Sequence, residues 1–222
     1  MILKTKDVSY WYKGSESSLF NGVNLSFEKG KMYSILGTSG SGKTTFLSLI
    51  AGLDEPKEGT IYYKEEDIQK IGLRNYRKQN MSIIFQSYNL LPYLSAVDNV
   101  VTAMEIAKTN HERKKEEAYK ELEKIGIGKE LADSKIGRLS GGQQQRVAIV
   151  RALCCDHDVI VADEPTGNLD SETSMEIVKM FKKIAHEENK CIIMVTHEQE
   201  VAKESDAVYE LKQKQFTLLS NK

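Results

Sequence analysis

The stretch Gly37–Thr44, with the sequence GTSGSGKT, decides the fold of this chain. It matches the phosphate-loop pattern G-x-x-x-x-G-K-S/T, in which glycines let consecutive backbone N–H groups turn towards a phosphate. The apolar run Met32–Leu36 before the loop predicts a buried strand, and Thr45–Ala51 after it predicts a helix with a partly positive N-terminus. Strand, loop and helix in this order predict a phosphate-binding α/β core.

Two acidic residues complement the loop. Asp163 and Glu164 follow the apolar run Val159–Ala162, at the carboxyl end of a predicted strand, where ligands gather in open α/β sheets. Lys43 can supply an ammonium to the β- and γ-phosphates, and we expect Thr44 and Asp163 to hold Mg²⁺. Glu164 can reach the attacking water as a base. These residues predict a Mg²⁺-dependent nucleoside triphosphatase.

The other strands of the core have similar signals. Continuous apolar runs of this length are typical of strands buried on both faces of a parallel sheet, and they occur at Met81–Phe85, Val159–Ala162 and Cys191–Val195. Between the last two, Ser171–Glu188 has apolar residues at helical spacing. Strands that alternate with helices predict an α/β fold with a mainly parallel sheet.

Two regions lie outside this pattern. Short alternating patches in residues 1–30 and 57–63 predict a small antiparallel β subdomain. Residues 96–140 predict a helical insert, within one domain that spans residues 1–222. The insert contains the charged run His111–Lys124, which is either a partner site or, more simply, a solvated helix face with (i, i+4) ion pairs.

Composition excludes several classes of protein. With 31 Lys and Arg against 32 Asp and Glu, the net charge of −1 argues against nucleic-acid binding through bulk charge. No run approaches 18 apolar residues, and the N-terminus lacks an export signal. Cys154, Cys155 and Cys191 have the spacing of neither a disulfide framework nor a zinc site. We expect a cytoplasmic chain.

A second anion site is predicted at Leu139–Gln143, LSGGQ, because serine and two glycines precede the predicted helix Gln143–Leu153. Here the chain resembles the ATP-binding cassette (ABC) transporter ATPases, whose signature is L-S-G-G-Q. The resemblance implies the ABC ATPase fold. It also implies a homodimer in which the signature of one subunit faces the γ-phosphate on the phosphate loop of the other.

Further motifs of that family follow in order. Gln86 resembles the glutamine that touches Mg²⁺ or the attacking water, Asp170 ends the GNLD segment that contacts the opposite subunit, and His197 matches the histidine that binds the γ-phosphate. Tyr12 aligns with the aromatic residue that stacks on adenine, although Tyr10 and Trp11 are close competitors.

The resemblance therefore implies three overlapping sets of site residues. The catalytic set is Lys43, Gln86, Glu164 and His197. The Mg²⁺ set is Thr44, Gln86 and Asp163. The ATP-binding set is Tyr12, Gly37, Thr38, Ser39, Gly40, Ser41, Gly42, Lys43, Thr44, Thr45, Gln86, Ser140, Gly141, Gly142, Gln143 and Asp170.

The segments Ile84–Pro92 and Ala162–Asp170 resemble the group that serves macrolide export, lipoprotein release, antimicrobial-peptide resistance and cell division. This implies an integral-membrane permease as partner and a peripheral position on the cytoplasmic face of the membrane. An ATP-gated regulator that moves no solute has the same motifs. A soluble cassette ATPase of DNA repair or ribosome rescue fits less well, because the chain has one cassette and no sustained heptads.

The segment Tyr88–Tyr93, with aromatic and apolar residues directly after Gln86, is a candidate docking patch for the partner. The alternative is that Leu90, Leu91 and Tyr93 fill the core of the helical insert.

Overall fold

The computed structural model describes residues 1–14 and 17–221. Its strands are β1 Leu3–Tyr10, β2 Phe20–Val23, β3 Ser26–Phe27, β4 Met32–Leu36, β5 Glu58–Tyr63, β6 Glu66–Asp67, β7 Met81–Ile84, β8 Val159–Asp163, β9 Cys191–Thr196, β10 Ala207–Lys212 and β11 Gln215–Asn221. Its α-helices are α1 Lys43–Ile50, α2 Ile68–Ile71, α3 Leu73–Asn80, α4 Ala96–Ala107, α5 Lys114–Lys124, α6 Lys129–Ala132, α7 Gly141–Leu153, α8 Ser171–Glu187 and α9 Gln199–Lys203.

A six-stranded sheet with the order β11-β10-β4-β9-β8-β7 forms the core. Neighbouring strands from β10 to β7 are parallel, and β11 is antiparallel to β10. Strands β4, β8 and β9 are almost wholly buried, which explains why their sequences are continuously apolar. The predicted α/β fold with a mainly parallel sheet is confirmed.

The hairpin β10–β11 at the edge of this sheet is not predicted by the apolar runs. Strand β11 is largely exposed, so its sequence lacks the signal of a buried strand. The turn is made by Gln213 and Lys214, whose φ angles of 48° and 66° are in the region that favours glycine. The hairpin therefore forms here without a glycine turn.

Two helices begin earlier than the sequence predicts. Helix α1 begins at Lys43 instead of Thr45, and α7 begins at Gly141 instead of Gln143. The reason at α7 is that Ser140 occupies the N-cap position, which takes both signature glycines into the first turn. Other ends differ from the predicted ones by a single residue, as at β7 and α8.

The predicted small antiparallel sheet has the strand order β2-β1-β5-β6, with β3 also paired to β1. It shares a hydrophobic core with α1 and the larger sheet, in which Phe20 and Phe46 make an edge-to-face contact at 5.8 Å. Helix α1 directly follows the phosphate loop, so the packing of α1 in this core fixes the C-terminal end of the loop.

The predicted helical insert contains α4, α5 and α6, which pack with α7 around a separate apolar cluster. The charged run has ion pairs at Arg113–Glu116, Lys120–Glu117 and Lys124–Glu121. Their spacing is (i, i+3) instead of the predicted (i, i+4), and Ala118 and Leu122 bury the opposite face. A solvated helix face accounts for the run.

No helix in the described ranges is long and apolar enough to cross a membrane. The three cysteines are free thiols, and Cys154 and Cys191 are buried.

Candidate functional site

The predicted phosphate-loop, Mg²⁺ and catalytic residues follow strand ends that meet at one edge of the larger sheet. The phosphate loop follows β4, whose end pairs with Thr196 at the end of β9. Asp163 ends β8 beside β9, and Glu164 and His197 are the next residues of their segments. This edge is where open α/β sheets bind ligands, because the carboxyl ends of parallel strands gather there.

The backbone of the phosphate loop needs its glycines. Gly40 and Gly42 have φ angles of 75° and 106°, which side chains other than glycine rarely adopt. A Cβ atom on Gly37 would lie 2.7 Å from Ser41 Oγ and 2.8 Å from the Leu211 carbonyl oxygen, so no side chain fits there. The loop is therefore a cradle with close backbone approach, as a phosphate site requires.

Polar groups of the loop are arranged around this cradle. Lys43 is only 4% exposed, and its Nζ donates hydrogen bonds to the carbonyl oxygens of Gly37 at 2.8 Å and Thr38 at 2.9 Å. The buried Ser41 Oγ has no hydrogen-bond partner among the described residues. Thr38 and Ser39 are exposed at the opening. A buried ammonium with exchangeable partners and an unpaired hydroxyl suit a phosphate group.

The Thr44 hydroxyl donates to Asp163 Oδ1 at 3.0 Å, which brings together two oxygen ligands that suit Mg²⁺. Burial raises the pKa of Asp163, and a bound cation would reverse that effect. Within residues 1–14 and 17–221 there is no metal-binding cluster of three or more His, Cys, Asp or Glu side chains. An Mg²⁺ ion at Thr44 and Asp163 would therefore complete its shell with phosphate oxygens and water.

Glu164 and His197 face each other, with Glu164 Oε1 3.4 Å from His197 Nδ1. Glu164 has a φ angle of 45°, and its N–H donates to the Val195 carbonyl oxygen at 3.0 Å. The left-handed backbone is uncommon for glutamate and turns the chain sharply at the end of β8. A carboxylate and an imidazole thus share the space beside the phosphate loop.

Gln86 lies against the segment that follows Glu164. The Gln86 carbonyl oxygen accepts from Asn168 Nδ2 at 3.2 Å, and a Cβ on Gly167 would lie 2.9 Å from Gln86 Nε2. The Gly167 N–H donates to the Glu164 carbonyl oxygen at 3.1 Å, so Gln86 is close to the backbone of Glu164. The structure brings Gln86 to the same sheet edge as Asp163, Glu164 and His197.

The aromatic candidates near the N-terminus have different environments. Tyr12 is 53% exposed, and its hydroxyl is 2.7 Å from Thr45 Oγ1 at the start of α1. Tyr10 is 5% exposed, and its hydrogen bond to Asp54 raises its pKa to about 12. Trp11 is half-buried. The ring of Tyr12 is therefore the one that is both exposed and next to the phosphate loop.

The signature segment forms an exposed helix start. Ser140 and Gln143 form a capping box, in which Ser140 N–H donates to Gln143 Oε1 at 2.9 Å and Gln143 N–H donates to Ser140 Oγ at 3.3 Å. Asp170 caps α8 by accepting from the Thr173 N–H at 2.9 Å, which lowers the pKa of Asp170. One depression is lined by the signature residues together with Asn168, Leu169, Asp170 and Thr173, and the phosphate loop of the same chain contributes nothing to it.

Some polar residues around the site are not predicted by motif. Arg151 in α7 donates to the carbonyl oxygens of Tyr88 at 2.9 Å and Asn89 at 2.6 Å, both of which have left-handed backbone. The sequence signal for it is its position within the apolar second half of α7, Val147–Leu153, because a half-buried charge needs polar partners. The Thr166 hydroxyl donates to Glu198 Oε1 at 3.0 Å, and no local pattern predicts that contact.

The other histidines lie apart from the motifs. Burial lowers the pKa of His157, whose ring is hydrogen-bonded to Ser82 and to a backbone carbonyl. His111 and His186 pair with the carboxylates of Asp156 and Asp206.

The sequence predicts that the segment Tyr88–Tyr93 is either a docking patch or part of the core of the helical insert, and the segment has features of both. Leu90 packs against the apolar cluster of the helical insert, whereas Tyr93 is 69% exposed.

Sequence comparisons place the chain in one family. The model of the ABC transporter family matches residues 20–167. The ABC transporter ATP-binding protein YclH of Bacillus subtilis is 55% identical over 220 residues, which is 99% of this chain and 97% of YclH. The lipoprotein-releasing system ATP-binding protein LolD of Rickettsia felis is 38% identical over 213 residues, 95% of each chain.

Solved structures agree with this placement. The dimeric structure of MJ0796, an ABC transporter cassette from Methanocaldococcus jannaschii, has a TM-score of 0.87, with 34% identity and complete coverage of both chains. A post-hydrolysis structure of MJ0796 bound to ADP and Pi matches equally well. The resemblance that the signature implies is therefore confirmed. The chain belongs to the ABC transporter family, as a subunit that binds and hydrolyses ATP.

Proposed function

We propose that the site at the carboxyl ends of β4, β8 and β9 binds and hydrolyses ATP with the residues that the motifs predict. The observation that carries this proposal is the convergence of three contacts at one sheet edge. Lys43 lies in the loop cradle, Thr44 contacts Asp163, and Glu164 faces His197. Residues 37–45 bind the phosphates, and Tyr12 stacks on the adenine.

Lys43 is the principal positive charge of the site. Without nucleotide its Nζ is held by two loop carbonyls. On binding it exchanges them for β- and γ-phosphate oxygens, so its charge stabilises the transferring phosphoryl group. Glu164 accepts a proton from the attacking water, and His197 donates a hydrogen bond to the γ-phosphate. Gln86 orients the attacking water.

In this proposal Thr44, Asp163 and Gln86 would hold Mg²⁺. When bound, the ion neutralises charge on the β- and γ-phosphates. The hydrogen bond between Thr44 Oγ1 and Asp163 Oδ1 supports the assignment, because it places two oxygen ligands next to each other beside the loop.

The functional unit is a homodimer with two composite sites. Ser140, Gly141, Gly142, Gln143 and Asp170 contact the nucleotide on the other subunit. Support comes from the exposed capped start of α7, from its separation from the phosphate loop of the same chain, and from the dimeric structures of MJ0796. Residues 1–222 act as one ATPase domain, in which residues 96–140 form a helical subdomain that carries the signature at its end.

Dimer closure drives an integral-membrane permease, with the chain peripheral on the cytoplasmic face of the membrane. Relatives named for lipoprotein release (LolD) and for macrolide export (MacB of Rhodopirellula baltica, 39% identical over 199 residues, which are 87% of this chain and 29% of MacB) support export or extraction of peptide, lipoprotein or drug-like substrates. The second candidate is an ATP-gated regulator that transmits motion and moves no solute. Both functions use the same site, so the permease distinguishes them.

The Glu164→Gln variant tests the catalytic site. It keeps the volume of the side chain but removes the base, so we expect ATP binding to persist while turnover falls about 100-fold or more. The ATP-bound variant should accumulate as a dimer in size-exclusion chromatography. The matched control is Glu200→Gln, an exposed carboxylate two residues beyond Glu198. Turnover of Glu164→Gln close to that of the control would remove Glu164 from its role.

The same variant identifies the partner. Tagged Glu164→Gln chain, purified in mild detergent with ATP from its own cells, should bring down a permease. A permease with few spans and a large outer domain supports the export and regulator functions, whereas a many-spanning permease argues against both.

A further inference from the structure

Thr166 and Glu198 form a contact between the two segments that carry Glu164 and His197. The Thr166 hydroxyl donates to Glu198 Oε1 at 3.0 Å. Thr166 is 2% exposed, and Glu198 is half-buried. A hydrogen bond to a carboxylate in such a place is stronger than one between neutral groups, because water competes poorly for either partner.

On one side, Thr166 is fixed in the turn after β8. The Leu169 N–H donates to the Thr166 carbonyl oxygen at 3.0 Å, and the Gly167 N–H donates to the Glu164 carbonyl oxygen at 3.1 Å. Glu164 and Thr166 thus belong to one hydrogen-bonded turn, and the Thr166 hydroxyl has a defined place relative to Glu164.

On the other side, Glu198 is fixed at the start of α9. Its N–H donates to Thr196 Oγ1 at 3.0 Å, and its carbonyl oxygen accepts from the Ala202 N–H at 3.1 Å. His197 lies between Thr196 and Glu198, with an exposed ring whose Nδ1 is 3.4 Å from Glu164 Oε1. Because the ring is exposed, its position depends on the backbone on either side of it.

We propose that the Thr166–Glu198 hydrogen bond is a positioning contact that sets His197 against Glu164 and the γ-phosphate. The proposal rests on the catalytic role of His197 given above. Thr166 is buried, and neither residue belongs to the sets predicted to bind ATP or Mg²⁺. Without the bond, the Glu198 side chain no longer ties the segment of His197 to the turn that contains Glu164, and His197 spends less time in the reactive arrangement. Nucleotide affinity depends on other groups and is unaffected.

A pair of variants at Thr166 separates the hydroxyl from the packing. Thr166→Val keeps the shape of the side chain and removes the donor, whereas Thr166→Ser keeps the donor. We expect Thr166→Val to lower kcat about tenfold or more, with KM for ATP and ATP affinity within about twofold of wild type. Thr166→Ser should retain at least half of kcat. Equal kcat values for the two variants would overturn the proposal, and thermal unfolding checks that both fold.

The dependence on His197 is tested by combining variants in the full chain. In a His197→Ala background, Thr166→Val should lower kcat less than twofold further, because the residue that the contact positions is already absent. A full tenfold loss in that background would show that Thr166 acts elsewhere and would overturn the positioning role. Normal turnover of His197→Ala alone would contradict the catalytic role of His197 in the proposed function, which is a separate result.

The Glu198→Gln variant tests the same hydrogen bond from the side of its acceptor. The amide keeps the shape and an acceptor oxygen but loses the charge, so kcat should fall less than in Thr166→Val. Thr166→Val with Glu198→Gln should be no slower than Thr166→Val alone, because the second change acts on a hydrogen bond that the first has already removed. Losses that multiply would mean that the two residues act independently, which would contradict the proposal.

Discussion

Tyr12 and Tyr10 are two nearby tyrosines with different roles, one at the candidate ATP site and one in the core. Its exposed ring stands next to the start of α1, while Tyr10 is buried against Asp54. We expect Tyr12→Ala to weaken ATP binding about tenfold, because a base stacked on an aromatic ring is stabilised by about 1–3 kcal/mol. Trp11 is the only tryptophan of the chain, so its fluorescence provides the titration signal.

Tyr12→Phe is the matched comparison, because it keeps the ring and removes only the contact with Thr45. Its ATP affinity should lie much closer to wild type than that of Tyr12→Ala. If both variants bind ATP like the wild type, the adenine does not stack at Tyr12.

The positions of the polar site residues at strand ends could be predicted from the sequence, because each of them follows a buried apolar run. Asp163, Glu164 and His197 are examples, and the structure brings them to one edge. Thr166 and Glu198 could not be predicted in this way. Their contact joins positions 32 residues apart, and a threonine or glutamate at such positions is ordinary in sequence. Long-range polar contacts depend on which segments pack together in the fold. The pattern of residues within one segment does not contain that information.

At the scale of elements, both ends of helix α7 contribute to the candidate site. Its first turn presents the signature, and Arg151 in its last turn holds the carbonyls of Tyr88 and Asn89, directly after Gln86. Burial lowers the pKa of Arg151, yet arginine stays charged, so the two carbonyl contacts compensate for a half-buried cation. One rigid helix therefore connects the signature to the loop of Gln86.

The Ser140→Arg variant tests the role of the first turn. The phosphate loop of the same subunit does not involve Ser140, so ATP affinity should be unchanged within about twofold. Turnover should be abolished, because a bulky cation blocks the approach of the second subunit. Equilibrium ATP binding and steady-state hydrolysis are the two measurements.

Loss of the helix cap is a separate effect of that substitution, and Ser140→Ala isolates it. Removing the cap destabilises the helix by about 1 kcal/mol without adding bulk. Ser140→Ala should therefore retain more turnover than Ser140→Arg. A loss of ATP affinity in Ser140→Arg would contradict the two-subunit site.

Elements differed in how well the sequence predicted them. Buried strands such as β4 and β9 have a strong signal, whereas β11 has none, because an exposed edge strand has no apolar face. The start of α7 at Gly141 is not predicted, because glycine is unfavourable within helices but acceptable in a capped first turn. Helix α1 begins at Lys43 without a side-chain cap, so no capping signal marks its start.

At the scale of the whole molecule, Asp158 ties the two sheets together. It precedes β8 of the larger sheet and pairs with Lys29 at 2.7 Å and Lys64 at 2.8 Å, which flank strands of the smaller sheet. Burial alone would raise the pKa of Asp158, but the two lysines hold it well below its usual range. The pairs therefore stabilise the fold above about pH 4, and this stabilisation is lost as the pH falls below that value.

We expect Asp158→Asn to lower the free energy of unfolding at pH 7 by about 1 kcal/mol, which corresponds to a few degrees in Tm. The difference from wild type should narrow as the pH falls below about 4, where the wild-type carboxylate also becomes neutral. Thermal unfolding at several pH values measures both effects. Glu65→Gln removes a charge from the exposed turn beside Lys64 and is the control. A pH-independent difference would mean that the carboxylate charge does not join the sheets.

The order of strands in the larger sheet has a consequence for synthesis on the ribosome. Strand β4, which carries the phosphate loop, lies between β9 and β10, and both of these come from the last 32 residues of the chain. A growing chain that already contains the loop, the signature and Glu164 has no hydrogen-bonded neighbour for β4. We therefore expect the phosphate loop to reach its folded position only after β9 and β10 have been synthesised, so that a chain arrested before residue 191 binds ATP poorly.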